Sequence, residues 1–135
     1  MLLAVLVLAG CSSGSGKPNA SVTVAPIVER DFKISASQYQ LHAGQVDLSV
    51  KNDGPDAHEL IVVRETESGL PLRKDGLTVD EDTIEREKLE LGALEPGQPG
   101  GVRHMRVNLT PGRYLLLCNM AGHYLGGMHT ELVVN

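Results

Sequence analysis

The chain has 135 residues, a length that suggests one domain able to bury a real core without staples. With one Phe and no Trp, that core has to be built from Val, Leu and Ile. A formal net charge of −5 argues against a nucleic-acid partner and suits a partner with a basic patch.

Residues 1–10 open with an apolar run, Leu2 to Leu8, followed by Ala9-Gly10-Cys11. The run is too short to span a bilayer and reads as a signal-peptide core, although no Lys or Arg precedes it. Leu8-Ala9-Gly10-Cys11 resembles the bacterial lipobox. That resemblance implies cleavage before Cys11, lipidation of Cys11, and a membrane anchor that tethers the domain outside the cytoplasm, in the periplasm or on the outer face. Ser12 to Asn19 is small, polar and glycine-rich, so residues 11–20 read as the lipidated Cys and a flexible linker. The globular domain is expected over 21–135. Cys118 is the second of two cysteines, and a Cys11–Cys118 disulfide is the weaker explanation for the pair.

Short β segments follow. Val22, Val24, Ile27 and Val28 are interrupted by Pro26, and Phe32 and Ile34 alternate with polar residues. Tyr39-Gln40-Leu41 leads to a turn at Ala43-Gly44. Val46, Leu48 and Val50 alternate with Asp47, Ser49 and Lys51, the period of a strand with one wet face. Asn52 to Asp56 is a dense turn cluster, and His58 stands just beyond it at the head of the apolar run Leu60-Ile61-Val62-Val63.

Arg64 to Gly101 is charged and lacks alternation. Thr78 with Glu81 fits a capping box, so a short helix is expected from Asp80 to about Leu89, with Ile84 and Leu89 or Leu91 inward. Gly92 and the Pro96–Gly101 stretch end it. Its acidic residues read as a solvated face. Strands resume at Val102–Leu109 and, after Thr110-Pro111-Gly112, at Tyr114–Leu117. Seven or eight strands with frequent turns point to a two-sheet sandwich.

The last loop carries the chemistry. Four residues separate Cys118 from His123, and four separate His123 from Met128. A thiolate, an imidazole and a thioether on one inter-strand loop are donors of a blue-copper site, which needs one more His. His58, sixty positions before Cys118, is placed to supply it. His42, His104 and His129 read as surface or strand residues, and Met105 and Met120 as core filler.

Asn52-Asp53-Gly54 before His58, Thr110-Pro111-Gly112-Arg113-Tyr114 before Cys118, and the Cys118–His123–Met128 loop together resemble the cupredoxins, the small blue-copper proteins. The resemblance covers roughly residues 30 to 135. It implies an all-β Greek-key sandwich and one type 1 copper ion held by His58, Cys118, His123 and an axial Met128. It also implies a monomer that carries single electrons to or from a redox protein of the cytochrome or copper-oxidase type, with copper delivery as the alternative. Multicopper enzymes of this fold commonly have a His beside the Cys. Here Leu117 and Asn119 flank it, so an enzyme is not expected. Glu59 departs from the Asn that some members carry after the first His. On an alternating strand it points away from His58, to solvent. Gly122, Gly126 and Gly127 are expected to allow close backbone approach or positive φ, and the His123 ring edge to be partly exposed.

Overall fold

The computed structural model describes residues 21–135; the expected leader, the lipidation site Cys11 and the linker at 11–20 lie outside the described residues. Nine strands and one helix follow in order: β1 (Thr23–Arg30), β2 (Lys33–Ala36), β3 (Gln40–Leu41), β4 (Gly44–Asn52), β5 (His58–Arg64), α1 (Glu81–Arg86), β6 (Glu90–Gly97), β7 (Val102–Leu109), β8 (Gly112–Leu117) and β9 (His129–Val134). They form a four-stranded sheet, β2-β1-β4-β7, facing a five-stranded one, β3-β9-β8-β5-β6. No helix among the described residues is long and apolar enough to cross a membrane.

The alternation in β4 is real: Val46, Leu48 and Val50 are fully buried between the sheets. They meet Leu60, Val62, Leu116, Leu132 and Tyr114 in one core that also takes in Cys118 and Met128. The Tyr114 hydroxyl donates to the Thr110 carbonyl at 2.8 Å and accepts from the Arg64 guanidinium at 2.7 Å, fixing the turn into β8. The unbroken apolar run in β5 has a second cause. Its outer face, with Ile61 and Val63, joins Leu117 under Val79 and Ile84 of the β5–β6 insertion. A strand covered on both faces need not alternate.

Three expectations are corrected. Pro26 does not interrupt β1. β2 pairs with β1 only from Ile27 onward, so the missing N–H falls beyond the paired stretch, where the Pro26 carbonyl accepts from Ser37 at 3.0 Å. The segment around Gly92 and Pro96 is a strand rather than a terminator. β6 lies at the sheet edge, where a proline costs no ladder bond on its open side. Finally, α1 is capped by Asp80, whose carboxylate accepts from the Thr83 N–H. Thr78 and Glu81 do not form the expected box. The Thr78 hydroxyl donates to Asp75 at 3.2 Å, and Glu81 is bound to Asn119.

Candidate metal centre

The first histidine is set by the β4–β5 turn. Asn52 is fully buried, and its amide donates to the carbonyls of Asp56 at 2.7 Å and Gly97 at 2.8 Å while accepting from Gly54 N–H at 2.9 Å. One side chain therefore closes the turn and ties it to β6. His58 emerges from this turn with no exposed surface. Its Nε2 meets Asp31 Oδ1 at 2.6 Å, and its Nδ1 is buried with no hydrogen-bond partner.

The other donors come from the β8–β9 loop, which is closed on itself. Cys118 N–H donates to the Met128 carbonyl at 3.1 Å, and Met128 N–H donates to the His123 carbonyl at 3.0 Å. Gly122 and Gly127 adopt φ of 81° and 98°, conformations that side chains disfavour. Gly126 serves close approach instead: a Cβ there would lie 3.1 Å from the Gly122 carbonyl oxygen.

These pieces bring His58, Cys118 and His123 together, with one donor atom from each within 4.8 Å of the others. Cys118 Sγ stands 3.4 Å from His123 Nδ1, and the two imidazole centroids are 5.3 Å apart. Met128, the fourth predicted donor, is fully buried at the loop's end in the same core cluster. His123 is half-buried, and the exposed Phe32 ring packs edge-on against it with centroids 5.0 Å apart.

Burial pushes the Cys118 thiol up, while the backbone amides of Met120 and Glu59 favour its thiolate. A buried, free thiol beside an imidazole nitrogen and a second, orphaned one gains from a cation of borderline softness. The donor set fits copper: an orphaned imidazole nitrogen, a sulfur and a second imidazole, with a thioether on the same loop.

Glu59 is not turned to solvent. It is half-buried, and its carboxylate accepts the Asn119 N–H at 2.8 Å, bracing the residue after Cys118. Desolvation raises its pKa, against the pull of that hydrogen bond. Asn119 in turn accepts from Val79 N–H at 2.6 Å and donates to the Val79 carbonyl at 3.0 Å and to Glu81 at 2.5 Å. The insertion is thereby clamped to the metal loop. Sequence reasoning found neither this clamp nor Asp31. Glu59 and Asn119 flank predicted ligands and could have been suspected, whereas Asp31 carries no signal beyond its place in a turn.

The remaining candidates stand apart. His42 is exposed, His104 pairs with Asp47 at 3.1 Å on the surface, and His129 stacks on Tyr124. Met105 is core, and Met120 packs against it half-buried.

No family model and no curated protein sequence matches the chain. Solved structures do. The dithionite-reduced auracyanin of Roseiflexus castenholzii is 20% identical, with 87% of this chain and 99% of that one covered at a TM-score of 0.59. Auracyanin A, a "blue" copper protein from Chloroflexus aurantiacus, is 20% identical over 85% and 100% of the two chains, at 0.61. Rusticyanin from Thiobacillus ferrooxidans is 16% identical over 93% and 86%, at 0.61. With this sheet order and set of structural neighbours, the chain has the cupredoxin fold.

Proposed function

We propose that the protein is a blue-copper electron carrier, tethered through Cys11 to a membrane outside the cytoplasm. The observation that carries the reading is the meeting of His58, Cys118 and His123, with the buried Nδ1 of His58 left without a partner. Auracyanin A, similar in structure, is described as a "blue" copper protein. Copper in such a site supplies a one-electron couple.

The chain's part is to hold the donors still. His58 is locked between its turn and Asp31, Cys118 is braced through Glu59 and Asn119, and the loop is cross-bonded back to Cys118. Met128 is the proposed axial donor. His123, half-buried behind Phe32, is the contact point for a redox protein of cytochrome or copper-oxidase type. Leu117 is fully buried in the cluster beneath the insertion and Asn119 is consumed by its clamp. Neither neighbour of Cys118 offers a route to a second copper, which favours a carrier over an enzyme.

Voltammetry and chelator competition test the carrier role. A carrier gives a reversible one-electron wave and keeps Cu(I) against a competing chelator. A delivery protein surrenders Cu(I) readily. For the anchor, Cys11→Ser should move the protein from the membrane to the soluble fraction, and an unchanged distribution would remove the tether.

A further inference from the structure

We propose that Asp31 is a positioning residue of the metal site, fixing the tautomer of His58 and holding the reduction potential down; this rests on the copper reading above. Asp31 lies in the turn between β1 and β2, twenty-seven positions before His58. Its Oδ1 is 2.6 Å from His58 Nε2, and its side chain is 22% exposed while that of His58 is wholly buried.

A neutral imidazole has one N–H and one lone pair. A carboxylate only accepts, so a 2.6 Å contact requires the proton on Nε2. The opposite tautomer would set two lone pairs against each other there. It would also leave a buried Nδ1–H with no acceptor. The bond at one ring nitrogen therefore frees the other to bind a metal.

The surroundings are built for this contact. A Cβ at Gly54 would fall 2.8 Å from Asp31 Oδ1 and 2.9 Å from His58 Nε2, so a side chain at that position would crowd the bond. Two cations of this region are engaged elsewhere: Lys51 pairs with Asp53 at 2.7 Å and Arg30 pairs with Asp53 at 3.5 Å. Among the described residues, the side-chain hydrogen bond of Asp31 is with His58. Its charge is therefore directed at the imidazole. A carboxylate behind a histidine ligand raises the ligand's basicity, which favours the more highly charged Cu(II) over Cu(I). The adjacent Phe32 touches His123, so this one turn contacts both histidines.

Two variants separate position from charge. Asp31→Asn keeps an oxygen acceptor and removes the charge, whereas Asp31→Ala removes both. Nitrogen-15 NMR of the metal-free protein reads the His58 tautomer, and voltammetry of the copper-loaded protein reads the potential. In the wild type and Asp31→Asn the proton should sit on Nε2, and in Asp31→Ala the two tautomers should mix. Both variants should raise the potential while keeping the blue band. A tenfold loss of Cu(II) affinity relative to Cu(I), at the lower edge of the 10–100-fold range for such partners, corresponds to about 59 mV. A proton on Nδ1 in the wild type, or an unchanged or lowered potential in Asp31→Asn, overturns the assignment. Should Asp31→Ala fail to fold, the wild-type tautomer and the Asp31→Asn potential decide it. A wild type without the blue band overturns the copper reading, and the metal-free NMR result then judges the Asp31–His58 bond by itself.

Discussion

Asn119→Ala removes the clamp between the metal loop and the insertion while leaving every proposed ligand in place. The side chain is 5% exposed, and Val79, its main partner, is fully buried. Truncation strips the Val79 N–H of its partner at 2.6 Å, while the Val79 carbonyl loses one of two donors and keeps the Glu81 N–H at 3.1 Å. Each buried polar group left unpaired costs about 1–3 kcal/mol. Some water will enter the vacated space, so the expected loss is about 1–3 kcal/mol. Against a typical stability of about 5–15 kcal/mol, that is a large share. The assay is urea unfolding of the metal-free protein, so that copper affinity does not enter. The midpoint should fall by about 0.5–1.5 M at an unchanged slope. Asn119→Asp keeps an acceptor for Val79 N–H, but cannot donate to the Val79 carbonyl and sets a carboxylate against Glu81. It should be at least as damaging. An Asn119→Ala protein within about 0.5 kcal/mol of wild type, the range of an idle surface change, would refute the clamp.

Met128→Leu conserves volume at a fully buried site and should cost less than about 1.5 kcal/mol. If Met128 is the axial donor, losing the thioether should raise the reduction potential, and an unmoved potential removes that role. Glu29 supplies a pH prediction. Burial raises its carboxyl to about 7 despite Arg103, whose guanidinium lies 2.5 Å away. The folded value exceeds the unfolded one, so the folded state holds the extra proton. Its contribution is full below about pH 4.5 and is lost as the pH rises through 7. That swing is about 3 kcal/mol. The difference in unfolding free energy between wild type and Glu29→Gln should fall across that window and level off above it. A flat difference contradicts the burial argument.

What was legible in the sequence was local. The alternation of β4, the turn before His58 and the spacing of Cys118 and His123 each follow from neighbours in the chain; the structure keeps the first two and brings Cys118 and His123 together with His58. β6 was missed because Gly92 and Pro96 read as breakers, and only its edge position makes them tolerable. The helix cap was misplaced because Thr78 and Glu81 are claimed by Asp75 and Asn119, the latter thirty-eight positions away. Asp31 and the Glu59–Asn119 brace depend on contacts between turns and loops far apart in sequence, which no periodicity encodes.

The central claim is that Cys118, His58 and His123 form one copper site. Adding Cu(II) to the purified metal-free protein and recording absorption and EPR spectra tests it directly. The account predicts an intense blue thiolate-to-copper band in the wild type and its disappearance in Cys118→Ser. A colourless wild type, or a band that survives Cys118→Ser, would contradict it.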